Sequence, residues 1–378
     1  MDSSRSTLIL FALVMACDGG GGVLPLGTGK NDTDDADDEV EASELDDRVV
    51  DYNEALRTAS LKLVDVSPTL EQIRRVQHAP DQKAEYGAVL DELLGDPRFA
   101  RRMIRFWRDT LRQGGGELDT APVFAARIVV EGRPLTDLFT AMENTCPSYD
   151  AETETFVDGN CDNGVPVHAG VLTNPGSMAQ FYGNMAFRRV RWVQEVFACS
   201  KLPAEHNGDP KPMGNGQYTS PWPFQSISAD PVDFQDTSAI VCANCHTTMN
   251  HLAPLFGNFD ANGDWQTSIQ VMTPTSPEPV ATALDHWLPA GEQTSWRFGV
   301  PVADLPALGE TLAKDPAVIQ CVVARFWNFV MSKEDIVDGL AVVPSEVLEP
   351  SLQVLLSNNY NLKSMLRAML SSEDFVSF

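Results

Sequence analysis

From about residue 49 to the C-terminus, apolar residues return every three or four positions in one short segment after another, and that period admits few folds other than a packing of helices. The segments lie at Asp51 to Leu63, at PTLEQIRRVQ from Pro68, at Lys83 to Leu94, and at FARRMIRFWRDTL, where Phe99, Met103, Phe106 and Leu111 share a side. Later ones run from roughly Met185 to Ala198, Asp304 to Ala313, Pro316 to Met331, Val347 to Leu356 and Leu362 to Leu370, the last with Asn361 placed to cap it. Between them, Gly114 to about Thr173 reads as loop-rich, and Pro203 to Asp236 as a loop rich in Pro, Gly, Ser and Asn. The fold class is therefore mainly α and multi-helical, with a loop-rich middle and few or no strands.

The first residues are of a different kind. Arg5, the apolar run Leu8 to Met15, and small Ala16 before Cys17 read as a secretion signal. The run is about half the roughly 20 residues a spanning helix needs. Val14-Met15-Ala16-Cys17 resembles a lipobox, in which the cysteine is acylated. A signal peptide with an incidental cysteine is the other reading. Glycines 19 to 22 and the acidic stretch from Asp32 to Asp47 follow, without a lysine or arginine in the stretch, and are expected to form a tether that buries nothing. The formal net charge of −26 argues against a nucleic-acid partner, because phosphate binding needs clustered cations. Gly27-Thr28-Gly29-Lys30 is not a phosphate loop, since Leu24 stands where its first glycine belongs and Asn31 follows the lysine.

Export makes the seven cysteines divide in a particular way. Cys17 takes lipid, and Cys242 and Cys245 belong to the motif below. Cys146, Cys161, Cys199 and Cys321 remain, an even number for an oxidising compartment. Of three possible pairings, Cys146–Cys161 closes a short polar loop at little entropic cost, which leaves Cys199–Cys321 to join two helix patterns. Four buried free thiols are the competing reading.

The sharpest chemical signal is Val241-Cys242-Ala243-Asn244-Cys245-His246. In an exported chain Cys-x-x-Cys-His is the attachment signature of one c-type haem: the thiols of Cys242 and Cys245 add to its vinyl groups, and the imidazole of His246 ligates iron. A zinc site using Cys242, Cys245, His246 and His251 competes poorly, because adjacent Cys245 and His246 suit a tetrahedron badly. A redox-active or structural disulfide between the two cysteines is the remaining reading. For the opposite side of the iron, Met249 and His251 are too close along the chain. Met272, in a loop after the motif, is the first candidate, ahead of Met213, His286 and Met331, and a vacant position is the alternative.

Three stretches resemble a known family. They are YNEALRTASLKLVDVSPTLEQIRR with LDELLGDPRFARRMIRFWRDTLR, then AGVLTNPGSMAQFYGNMAFRRVRWVQEVFAC running on to VCANCHTTMNHLAPLFGNFDANGDW, and the segment from Leu308 onward. Together they are similar to exported, cytochrome-c-linked proteins of planctomycetes and myxobacteria, built from serial domains of unknown function. Arg188, Arg189, Cys199, Cys242, Cys245, His246, Met249, Leu252, Asn258, Phe259, Asp260 and Gly263 match the family pattern. Val190, Asn250-His251, Ala253 and Gly257 depart from it. The resemblance implies architecture and haem but no substrate.

The expected organisation is a signal with acylated cysteine (1–17), an acidic tether (18–48), an N-terminal helical domain (49–145), a loop-rich haem domain (146–270) and a C-terminal helical domain (271–378). The expected function is electron transfer to a redox partner protein in the cell envelope, with a membrane anchor through lipid. A haem-dependent, peroxidase-like oxidoreductase and a binding scaffold with structural haem are the alternatives, so enzymatic activity is left open. Arg188 and Arg189 are candidates to pair with haem propionates or with the chain's own carboxylates. Asp260-Ala261-Asn262-Gly263-Asp264 is expected to be a turn rather than a calcium loop, because Trp265 stands where the loop needs glycine.

Overall fold

The structure, a computed structural model, describes residues 47–201, 248–272, 277–284, 287–288, 291–297, 299–333 and 343–378. Arg48–Phe378 forms one compact unit. The described part is mainly helical, and its strands are short antiparallel pairs.

Local chemistry sets most helix ends. Helix α1 (Tyr52–Val64) begins where the Asp51 carboxylate accepts the amide N–H of Asn53 and Glu54, and stops at Asp65 in the left-handed region. Helix α2 (Leu70–His78) opens with a reciprocal capping box between Thr69 and Gln72, and α3 (Gln82–Gly95) with Asp81. Helix α4 (Arg98–Leu111) buries Phe99, Met103, Phe106, Trp107 and Leu111 and exposes Arg101 and Arg105, while Arg102 donates to the Lys62 carbonyl.

Helix α5 (Thr120–Glu131) corrects the sequence reading, which assigned this stretch to loop. Its sequence TAPVFAARIVVE carries almost no polar face, so no amphipathic period marks it. The reason is its position: Ala121, Phe124, Ala125, Ala126, Ile128 and Val129 are all buried, with α4 along one side and α6 (Asp137–Thr140) and α7 (Pro175–Gln180) against others. A helix packed on several sides has no solvent face to show.

Between α6 and α7 lies a hairpin, β1 (Ser148–Asp150) with β2 (Thr155–Val157). Helix α8 (Phe187–Phe197) follows, then residues 248–252 in a helical turn. Two more short pairs are β3 (Gln270–Val271) with β4 (Val280–Ala281), and β5 (Ser295–Trp296) with β6 (Val300–Pro301). The chain closes with α9 (Leu305–Leu312), α10 (Pro316–Val330), α11 (Ser345–Ser357), α12 (Leu362–Leu370) and α13 (Glu373–Val376).

Helices from both ends of the chain share one core. Helix α12 packs on α3, α5, α10 and α11, and the Tyr86 hydroxyl of α3 donates to the Leu370 carbonyl. Backbone hydrogen bonds also join Val49 and Asp51 to Phe378 and Val376. The segments expected as three domains thus contribute to a single hydrophobic cluster. Among the described residues no helix is long and apolar enough to cross a membrane.

Candidate functional site

The chemistry proposed from sequence centres on Cys242, Cys245 and His246, which lie outside the described residues, as do Cys17, Met213 and His286. The structure does describe the elements on either side of that motif: α8 before it, and residues 248–272 after it.

The downstream segment enters the core immediately. Asn250, His251, Leu252 and Ala253 are buried, and a single 3₁₀ turn, Ala253–Phe256, carries the chain onward. The His251 imidazole Nε2 lies 3.6 Å from the Glu292 carboxylate. Next comes a tight turn. Asp260 Oδ1 accepts the amide N–H of Asn262 and Asp264, its Oδ2 accepts from Gln266, and Phe259 and Trp265 face each other across a β-bridge with their rings 5.1 Å apart. Asp260 is therefore occupied in shaping the turn, and among the described residues no group of three or more His, Cys, Asp or Glu could hold a metal ion. Gly263 completes the turn with φ of 82°, and a Cβ there would stand 2.3 Å from the Pro175 carbonyl oxygen. The turn is thus seated directly on the start of α7.

Arg189 fastens this segment to α8. It is 1% exposed, and its guanidinium makes five hydrogen bonds, all to carbonyl oxygens. Nε and Nη2 donate to Met178 at 3.0 and 2.6 Å, Nη1 to Phe256 and Phe259 at 2.8 and 3.0 Å, and Nη2 also to Asp260 at 3.1 Å. Five contacts match the five N–H donors of a guanidinium. The rings of Tyr182 and Phe259 lie 5.3 and 5.7 Å from its central carbon. Burial pushes the Arg189 guanidinium below the usual arginine range, opposed by the fields of Tyr182 and Asp260. The expectation that Arg189 pairs with a propionate or with a carboxylate is corrected: its donors are spent on backbone carbonyls. Its neighbour Arg188 is exposed and donates to the Tyr182 carbonyl at 3.0 Å.

The far end of α8 is held as firmly. Arg325 of α10, buried, donates from Nε to the Val196 carbonyl at 3.1 Å and from Nη2 to that of Glu195 at 2.9 Å. These are last-turn carbonyls that no intrahelical N–H reaches, and a cation is favoured beside them. The Cys199–Cys321 disulfide lies alongside, and Cys146–Cys161 closes the β1–β2 hairpin, so both pairings expected from the cysteine arithmetic are present.

Sequence reasoning missed Glu195. Its carboxylate is 4% exposed and accepts from Arg112 Nη1 at 2.5 Å and from Arg191 Nε at 2.7 Å. Only the Arg191–Glu195 spacing of four could have signalled it. His168 was also passed over; burial pushes its imidazole down, partly offset by a hydrogen bond with the Cys161 backbone.

Of the methionines considered as iron ligands, Met249 is partly buried against the core, Met331 is the C-cap that follows α10, and Met272 follows β3 with its carbonyl accepting the Met185 N–H at 2.7 Å.

In comparison with known proteins, a family model described as PSCyt2, Protein of unknown function (DUF1549), matches residues 37–122. That match covers α1 to α4 and reaches the first residues of α5, upstream of the cysteine motif. It supports likeness to a family of unknown function for this part of the chain. No curated protein and no solved structure matches the chain.

Proposed function

We propose that the chain is an exported c-type haem lipoprotein that transfers electrons in the cell envelope. The observation that carries this reading is the run Cys242-Ala243-Asn244-Cys245-His246 in a chain whose Cys146, Cys161, Cys199 and Cys321 are already paired with one another. Disulfide pairing supports an oxidising compartment, and such compartments are where haem is joined to thiols. With those four cysteines used, Cys17, Cys242 and Cys245 are left for other chemistry.

The donor set fits the group. Two thiols at the spacing of the vinyl substituents and an adjacent imidazole are the residues that thioether attachment and axial ligation require. Cys242 and Cys245 would hold the cofactor covalently, and His246 would hold its iron. When bound, haem supplies reversible one-electron chemistry. Met272 would be a further candidate to hold the iron, on the ground of its place after the motif. The chain's own contribution is positional. Arg189 gathers the carbonyls of Phe256, Phe259 and Asp260, so the polypeptide leaving the attachment motif is tied to α8 within 14 residues of His246. A redox partner protein and a lipid anchor at Cys17 complete the proposal.

The test is to mature the protein in an oxidising compartment with haem-assembly machinery and to record pyridine haemochrome spectra after acid-acetone extraction. One haem retained per chain is expected, lost in Cys242→Ala with Cys245→Ala. His246→Ala should change spin state and potential, and Met272→Ala should convert a low-spin to a high-spin spectrum. Zinc in place of iron, or a fully folded chain that never retains haem, overturns the reading.

A further inference from the structure

A cavity of about 360 Å³ opens between the segment that follows the turn at Asp260 and the N-terminus of α9. Its volume falls in the range of roughly 300–1,000 Å³ found for small-molecule sites. The walls are large apolar side chains, among them Val165, Leu255, Trp265, Ile269 and Leu305. Protein interiors are close-packed, and a space lined this way forfeits dispersion contacts and apolar burial for every wall it leaves uncovered. At the mouth, Val167 and Leu284 are 46% and 45% exposed, so the apolar lining continues to the surface.

The polar side chains around the cavity sort by what is already bonded. Thr173 Oγ1 accepts the Ala169 N–H and donates to the Gly170 carbonyl, Thr294 Oγ1 donates to the Val302 carbonyl, and Asn258 Nδ2 donates to the Gln266 carbonyl. Both hydroxyl donors are directed into the protein, and Asn258 spends one of its two N–H donors the same way. Asp304 differs. Its Oδ1 caps α9 by accepting the Ala307 N–H at 2.8 Å, while the residue is exposed and lines the cavity. An occupant thus meets an apolar wall and one carboxylate at the rim, on a chain with a formal net charge of −26 that repels anions.

We infer that this cavity binds a small cationic amphiphile: an organic amine with a flat or bulky apolar body in the cavity and its ammonium at Asp304. The inference is independent of haem attachment, since every residue it uses belongs to the described fold.

Isothermal titration of the purified full-length protein with naphthylmethylamine, naphthylmethanol and naphthoate tests charge and shape together. The amine is expected to saturate one site per chain, the alcohol to bind roughly threefold to fivefold more weakly, as for loss of an exposed ion pair, and the naphthoate to bind more weakly than the alcohol. Asn caps helices as well as Asp. Asp304→Asn should therefore keep the melting temperature and bring the amine down to the affinity of the alcohol. Val167→Trp narrows the mouth and should weaken both ligands by roughly tenfold or more. Should that variant fail to fold, Asp304→Asn still decides. The proposal is overturned if the amine gives no saturable heat, if naphthoate binds as well as the amine, or if Asp304→Asn leaves the preference for the amine intact.

Discussion

The side-chain nitrogen Nδ2 of Asn361 donates to the Gly132 carbonyl oxygen at 3.0 Å, while Oδ1 of the same side chain accepts the Ser364 N–H at 3.0 Å. One amide therefore caps α12 and ties it to the end of α5, 229 residues earlier. Asn361→Ala is expected to destabilise the fold by about 1–3 kcal/mol, from the lost cap plus an unpartnered carbonyl. Asn361→Asp keeps the cap and should lose only part of that. Gly132 sits at φ of 69°, with space for a Cβ only 2.9 Å from Asn361 Nδ2, so Gly132→Ala should be destabilising as well. Urea unfolding of the three variants checks the order.

Arg189 is expected to be irreplaceable by lysine. An ammonium has three donors in a compact cluster and cannot span the carbonyls of Met178, Phe256, Phe259 and Asp260. Arg189→Lys and Arg189→Met should each cost about 3–5 kcal/mol, in the range for breaking a buried charged network. Hydrogen exchange should show the loss first in residues 254–265, and equal protection there in wild type and Arg189→Lys would contradict the role assigned.

The two disulfides should contribute unequally. Cys146 and Cys161 are 15 residues apart, Cys199 and Cys321 are 122 apart. In the chain-entropy account, loops of these lengths are worth about 3 and about 5 kcal/mol. Paired replacement by alanine, followed by denaturant unfolding, should therefore cost more for Cys199 with Cys321. The opposite order would show that native-state packing outweighs loop entropy here.

Lys62 gives a pH signature. Its ammonium donates to the Phe329 carbonyl and the Ser332 hydroxyl. Burial, helped by the nearby Arg102 charge, pushes its pKa from 10.5 down to about 8. Between those values the unfolded chain keeps the proton that the folded chain has released, so the unfolded state binds more protons and this contribution to stability rises with pH. Lys62→Met should flatten the rise between pH 8 and 10.5. Thermal melts across that window measure it, and an unchanged slope would remove Lys62 as its source.

Cys17→Ser is expected to move the protein from the membrane fraction to the soluble one with its fold intact, because the acidic stretch that follows has few apolar residues with which to hold a bilayer. Fractionation and circular dichroism check both halves. Retention in the membrane would place the anchor elsewhere.

Much of the architecture was legible in the residues themselves. Helices α1, α4 and α12 announce themselves by period, and α12 also by its cap Asn361, because those signals are local and each of these helices keeps a polar side. The disulfides followed from counting cysteines and from the short polar loop between Cys146 and Cys161. The haem proposal likewise rests on five adjacent residues. What tertiary structure alone decided is wherever a group's environment comes from distant segments. Helix α5 hid because burial on several sides removes the polar stripe that defines a period. Arg189 reads in sequence as an ordinary cation able to meet any anion. Only the fold brings together carbonyls from α7 and from residues 256–260 to consume its five donors. Nor could spacing reveal Asp304 at the rim of a cavity walled by Val165, Leu255 and Trp265, since hydrophobic burial, which is non-directional, assembles such a space from segments far apart in the chain.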